Sequence, residues 1–316
     1  MSCTQQRFIL MTLDPMHIGT GGYRLGRVDL SIVREPGTNL PKIPGTSLSG
    51  AARAYAAMQY EKKQCTGQGQ DNADNKDGKS HCPDADCPIC YTFGSMKKID
   101  AGNAGTVSIA DARLLFFPVY SMAGPVWITS PSTLDDFGVT GQQVSVDKAK
   151  WSSEITTQKK LNIGWIMLEK EEGDLKLDMS GLDDIKIKDR LVLVSDKLFA
   201  QLVNSNLEVR TSVSIDPNTG AAKDKALFTY EALPRATWLW FDLVEDDYRK
   251  KENEKQWPVT KKFNGEEGSL NPQWKSPLCV VRAGLQIAEY LGIGGMGTRG
   301  FGRIKTWAVK TQEVSP

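Results

Sequence analysis

Three groups of residues in this chain could do chemistry, and their types say which. Cys82-x4-Cys87-x2-Cys90, with sixteen residues separating Cys65 from Cys82, gathers four thiols in one short segment. Thiolates suit a borderline-soft cation, and four of them close a tetrahedron without leaving a position for substrate. The set therefore reads as a structural zinc site, with His81 as a substitute ligand; the bland alternative is free thiols in a loop. The second group is the run Gly292-Ile-Gly-Gly-Met-Gly-Thr-Arg-Gly-Phe-Gly302, six glycines in eleven residues. So dense a run lets backbone N–H groups face a phosphate-bearing partner at close range. Gly292, Gly294 and Gly297 also spell G-x-G-x-x-G, but a dinucleotide site needs that motif after a strand and opening a helix. Here it lies between a predicted helix and a predicted strand, so a nucleic-acid backbone is the better partner.

The third candidate is Asp29. It sits in a segment where Arg7, Arg24, Arg27, Arg34, Lys42 and Arg53 outnumber Asp14, Asp29 and Glu35. The bland reading is a surface ion pair contributing about 0–1 kcal/mol. The functional one is metal-assisted phosphodiester cleavage: an ionised Asp can hold Mg²⁺ or Mn²⁺, and RNA supplies its own nucleophile in the 2′-hydroxyl. Histidine chemistry has little to work with, since His17 and His81 are the only two. A lone His17 in a Gly-rich loop is either a hydrogen-bonded structural residue or an RNA contact. Weak echoes of a P-loop and an EF-hand in the cysteine segment both fail at Ala73.

The composition is that of a globular protein, 40% hydrophobic and 24% charged over 316 residues, with a net charge of +1. No global field draws in nucleic acid, so any basic surface must be local. Glu169–Asp189 is acidic and expected to face solvent or a protein neighbour. No signal sequence and no membrane-length apolar run is evident, and the clustered cysteines suit a reducing compartment; the expected location is the cytoplasm, with no membrane partner.

These residues need elements to hold them. Arg7–Leu13 reads as a strand followed by the loop 14–22. A helix is expected from Ser47, as N-cap, to about Lys62. Thr66–Ser80 lacks large apolar side chains and reads as a solvated loop. Val107–Tyr120 returns to strand. Leu207–Ile215 alternates with period two, Asp216-Pro-Asn-Thr-Gly220 is a strong turn, and Ala226–Glu231 is the returning strand of a long hairpin. Ala236–Val244 is a strand, Ser276-Pro277 opens a helix to about Tyr290, and Phe301–Val309 is the last strand. Residues 121–204 are mixed. The order strand, helix, strand, strand, helix, strand is the ferredoxin-like pattern of an α+β fold, a familiar RNA-binding platform.

Five stretches carry a resemblance: His17-Ile-Gly-Thr-Gly, Gly26-Arg-Val-Asp-Leu-Ser-Ile-Val-Arg-Glu35, Pro44-Gly-Thr-Ser-Leu-Ser-Gly-Ala-Ala-Arg53, Ala110-Asp-Ala-Arg-Leu-Leu-Phe-Phe-Pro-Val119 and Gly294-Gly-Met-Gly-Thr-Arg-Gly-Phe-Gly302. They resemble the RAMP superfamily of CRISPR proteins, and within it the backbone (fourth) subunits of type III-B, or Cmr, effector complexes. The resemblance implies a single domain, residues 1–316, built as a modified ferredoxin-like (RRM-like) palm. It carries a β-hairpin thumb, 205–233, and a Cys-rich zinc-binding insertion, 64–106. It implies copies stacked along CRISPR guide RNA with other type III subunits, and cleavage of complementary target RNA at regular intervals of about six nucleotides. Asp29 would cut, with a divalent metal, beside each nucleotide displaced by the thumb, leaving a 2′,3′-cyclic phosphate. Guide binding falls to His17, Ser47, Arg53, Gly294, Gly295 and Arg299, further RNA contact to Gly19 and Arg27, and the thumb tip to Ile215 and Pro217. Some relatives have a lysine where this chain has Ser49, and some lack the cysteine cluster. Three alternatives remain: a non-cleaving scaffold of the same complex, a stand-alone CRISPR transcript-processing ribonuclease, and a nucleotide-cofactor enzyme.

Overall fold

The computed structural model describes residues 3–21, 28–67, 81, 87–96, 102–155, 159–177, 187–223, 227–249 and 274–314. In chain order the elements are β1 (Cys3–Thr12), β2 (Lys42–Ile43), α1 (Gly45–Gln59), α2 (Pro88–Phe93), β3 (Val107–Ile109), β4 (Ala112–Val119) and β5 (Val126–Thr129). Then come α3 (Pro131–Phe137), β6 (Lys148–Trp151), β7 (Lys160–Ile163), β8 (Ile166–Lys170), β9 (Leu191–Val194) and α4 (Asp196–Ser205). The last are β10 (Glu208–Ser212), β11 (Phe228–Ala232), β12 (Trp238–Glu245), α5 (Pro277–Leu291) and β13 (Ile304–Val314).

One large mixed sheet organises the fold, in the order β13-β1-β12-β4-β5-β9-β6-β8-β7, while β10 and β11 form a separate two-stranded sheet. The central strands are apolar on both faces because both are covered. Phe8 and Leu10 of β1, with Leu239, Phe241 and Leu243 of β12, pack against Leu48, Ala52, Val281 and Leu285 of the two long helices. Ile9, Trp238 and Trp240 point the other way, into a core closed by Leu134, Leu175 and Leu191. Strand periodicity of two sends alternate residues to opposite faces. Helices α1 and α5 cross closely because Gly284 has no side chain: a Cβ there would stand 2.1 Å from the Ala52 carbonyl oxygen.

Several element boundaries differ from the sequence expectations. Helix α1 begins at Gly45, with Pro44 rather than Ser47 at the N-cap, and ends at Gln59 rather than Lys62. The cap is supplied from a distance: the Gly45 N–H donates to Asp111 Oδ1 at 2.7 Å. The strand expected over 107–120 is split into β3 and β4, which both pair with β12, and the break at Ala110–Asp111 is where Asp111 turns to cap α1. The last strand starts at Ile304, because the residues before it bond elsewhere: the Gly302 N–H donates to the Pro15 carbonyl at 2.9 Å and the Gly302 carbonyl accepts the Ile293 N–H at 2.8 Å. Helix α5 does open with Ser276 as N-cap and Pro277 in its first turn. The mixed stretch 121–204 forms strands β5 to β9 and helices α3 and α4, which extend the sheet at one edge.

Candidate nucleic-acid interface

The loop carrying Asp29 is sewn onto the hairpin. The Leu30 N–H donates to the Thr229 carbonyl at 3.0 Å, and the Glu231 N–H to the Leu30 carbonyl at 3.2 Å, a parallel bridge that makes the loop a short third strand beside β11. Asp29 itself is exposed. Its Oδ2 accepts the Thr229 N–H at 2.7 Å and the Thr229 hydroxyl at 2.9 Å, while the Asp29 N–H donates to the Thr229 Oγ1 at 3.1 Å. The Thr229 N–H, then its hydroxyl, hold the Asp29 carboxyl below the ordinary value of 3.8. Hydrogen bonds to the ionised form favour it, so the group is an anion at neutral pH.

A charge cluster pins the same loop from behind. Arg34 forks onto Glu231, donating to Oε1 at 2.6 Å and Oε2 at 2.9 Å, and also reaches Asn204 of α4 at 2.8 Å. Glu231 Oε1 takes the Ile32 N–H at 2.8 Å as well. Below these lies a small apolar knot, Tyr230, Ala232 and Phe301, flanked by Leu30, Phe228 and Met296. Hairpin base, Asp29 loop and glycine-rich loop thus share one packing centre.

The glycine-rich loop closes on the loop 14–21. The Gly295 N–H donates to the His17 carbonyl at 3.0 Å. Gly294 has φ of +89°, and a Cβ there would meet Ile18 at 2.5 Å and the His17 oxygen at 2.6 Å, so only glycine fits. His17 is buried: its Nδ1 donates to the Glu231 carbonyl at 2.7 Å, and its ring stands edge-on to Tyr230. Gly19 lies against the same ring, since a Cβ there would come 3.0 Å from His17 Nε2. His17 is therefore a strut between two loops and the hairpin. Gly294 and Gly295 are exposed, and so is Arg299, whose guanidinium lies 5.9 Å from the Phe228 ring centre. Asp29 and Arg299 accordingly flank the hairpin root. The hairpin extends beyond β10 and β11 through an Ile215–Ala222 bridge to a tip where Ile215 and Pro217 are exposed.

Elsewhere the structure redistributes the candidates. Ser47 lies in the first turn of α1, its N–H bonded to the Pro44 carbonyl at 2.9 Å. Arg53 turns inward: Nε donates to the Cys65 carbonyl at 2.6 Å and a terminal nitrogen to the Phe93 carbonyl at 3.3 Å. Burial lowers its pKa, while the facing sulfurs of Cys90, Cys65 and Cys87 act in the opposite direction. Cys65, Cys87 and Cys90 are buried with their Sγ atoms within 4.8 Å of one another, and Cys65 and Cys87 are 3.7 Å apart. That spacing is far too long for a disulfide. A tetrahedral zinc with bonds of about 2.3 Å places its sulfurs about 3.8 Å apart, so the three thiols fit one. His81 is not among these three; its Nδ1 accepts the Met96 N–H at 2.9 Å. Arg27 and Cys82 lie outside the described residues.

Thr229, Glu231 and Arg34 carry the site, and none is evident from sequence as a partner of Asp29. The returning strand expected over Ala226–Glu231 does include Thr229, but its pairing with Asp29 spans 200 residues and no local spacing reports it.

Residues 9–305 match the model of the RAMP superfamily, and the chain belongs to that family. It is 29% identical, over 94% of its length and 92% of the relative's, to the CRISPR system Cmr endoribonuclease Cmr4 of Pyrococcus furiosus. Its fold is similar to a chain of the type III-B Cmr-beta complex bound to cognate target RNA, at TM-score 0.62 and 14% identity, covering 96% of this chain and 97% of that one. It is also similar to oligomeric Cmr4 from Pyrococcus furiosus, at TM-score 0.58 and 22% identity, covering 98% of this chain and all of that one. Among the described residues no helix is long and apolar enough to cross a membrane.

Proposed function

We propose that the chain is a backbone subunit of a type III-B CRISPR ribonucleoprotein that cleaves target RNA. Copies of it line guide RNA as a helical filament, in the cytoplasm and beside other effector subunits, and cut complementary RNA at intervals of about six nucleotides. The near-complete match to a Cmr endoribonuclease supports the activity. Similar folds in an RNA-bound complex and an oligomeric crystal support the RNA partner and self-association. The strand order β13-β1-β12-β4, with α1 and α5 as its crossovers, supports a ferredoxin-like palm. The separate β10–β11 hairpin supports a thumb, with Ile215 and Pro217 entering the guide–target duplex.

The observation that carries the reading is the exposed Asp29 carboxylate at the root of that hairpin. Ionised at neutral pH, it is suited to holding a cation rather than storing a proton. A Mg²⁺ or Mn²⁺ site takes one or two carboxylates and fills its other positions with phosphate oxygens and water, which a lone exposed carboxylate fits. Such an ion supplies charge stabilisation at the scissile phosphate. The chain's own residues do the rest. The hairpin displaces a nucleotide, freeing its 2′-hydroxyl to line up with the adjacent phosphate, and Asp29 marks where that phosphate sits. The amides of Gly294 and Gly295, with Arg299, hold guide phosphates. Cys65, Cys87 and Cys90 would hold a structural zinc, with Cys82 of the same sequence motif as the expected fourth ligand.

Asp29→Asn tests this. In the assembled complex, cleavage should fall by roughly 100-fold or more with target binding unchanged, as for loss of a group acting only in the transition state. Undiminished cleavage with binding intact would leave the scaffold reading. A stand-alone processing enzyme built on histidine is disfavoured because His17 and His81 are both buried.

A further inference from the structure

Among the described residues, the hydrogen bonds that reach the Asp29 carboxylate from another residue come from Thr229, which belongs to the hairpin rather than to the loop of Asp29. Thr229 makes three contacts with Asp29: its N–H and its hydroxyl both reach Oδ2, at 2.7 and 2.9 Å, and its Oγ1 accepts the Asp29 N–H at 3.1 Å. The hydroxyl is thus donor to the side chain and acceptor from the backbone of the same aspartate. One rotamer of Thr229 fixes both the loop and the carboxylate orientation. Both Thr229 donors fall on one oxygen, which sets the carboxylate plane relative to β11.

We propose that Thr229 is the positioning residue for target cleavage, a latch by which the hairpin that displaces a nucleotide also sets the carboxylate that acts beside it. This rests on the reading of Asp29 as the cleaving residue. The latch explains why the acidic group lies on a loop yet needs no rigid element of its own: β11 lends it one, through Thr229 and the Leu30 bridge. It also keeps wedge and carboxylate in register, because they move as one body.

The test separates the hydroxyl from the strand. Thr229→Val keeps the β-branched shape that suits a strand and keeps the N–H, but removes the hydroxyl. Thr229→Ser restores it. Single-turnover cleavage by the guide-loaded complex should slow roughly 10- to 100-fold in Thr229→Val, the usual cost of losing a partner of a metal-binding carboxylate. The Mn²⁺ concentration giving half the maximal rate should rise with it, while target binding stays unchanged and Thr229→Ser stays within about threefold of wild type. Equal slowing in the Val and Ser variants would overturn the proposal, because the hydroxyl would not be the cause. So would wild-type cleavage by Thr229→Val in preparations where Asp29→Asn is inactive. Wild-type cleavage by Asp29→Asn would instead remove the underlying reading of Asp29.

Discussion

Replacing Glu231 by alanine should loosen the Asp29 loop on the hairpin, leaving it the Leu30 backbone bonds and the Asp29–Thr229 contacts. The carboxylate takes hydrogen bonds from Arg34 at 2.6 and 2.9 Å and from the Ile32 N–H at 2.8 Å. Its side chain is 7% exposed and that of Arg34 21%, so truncation leaves a largely buried cation and an unpaired amide. Breaking such a pair by deleting one partner costs about 3–5 kcal/mol. Arg34 would keep Asn204 and the Ile32 carbonyl, which places the loss near the lower end, about 3 kcal/mol. In a chain of this size that is a fall in thermal midpoint on the order of 6 °C. Glu231→Gln keeps the volume and an acceptor oxygen for Ile32 while losing the charge, and should cost about half as much. Calorimetry reads the midpoint, and amide hydrogen exchange at Leu30, Ile32 and Glu231 reads the loop directly. Cleavage should fall with the loss of protection, since Asp29 rides on the same segment. A midpoint within about 1 °C of wild type, with the Ile32 amide still protected, would refute this account of the site.

Two further predictions concern other parts of the structure. Arg53→Gln should shift metal retention against a chelator by roughly tenfold while leaving the salt dependence of RNA binding unchanged, because the guanidinium binds the Cys65 and Phe93 carbonyls beside the thiols. A salt slope reduced by about one, with metal retention unaltered, would return Arg53 to a phosphate contact. Asp111→Ala removes the cap of α1 and should cost about 1 kcal/mol at pH 7, kept small by the partial exposure of the carboxylate. Burial raises the pKa of Asp111, but the Gly45 N–H and Lys42 outweigh it and leave the value below the ordinary 3.8. With the folded value depressed, the contribution is complete above 3.8 and is lost as pH falls through the folded value; thermal melts of both proteins down that range should converge.

Local features of the sequence marked much of this molecule. Ser276-Pro277 announced α5, the Asp216–Gly220 turn announced the hairpin, and the cysteine spacing announced a cluster of which three members are adjacent in space. Each is a short-range signal, in which neighbours in the chain fix one another's geometry. Arg53 shows the limit. From sequence it is a cation on a helix in a basic segment, and only the packing of α1 against the cysteine segments turns it inward. Ser47 failed as a cap for a related reason: Asp111, distant in sequence, already occupied the role.

The residue types and their spacing determined by themselves that this chain has a thiol cluster, amide-rich glycines and an acidic residue in basic surroundings. Periodicity added the helices and strands that carry them. Tertiary structure alone decided that Asp29, Thr229, Glu231 and His17 come together in one cluster, because they are joined by hydrogen bonds between segments some 200 residues apart. Chain-local propensity carries no information about such contacts; they are selected when the sheet and its two covered faces bring the loops together.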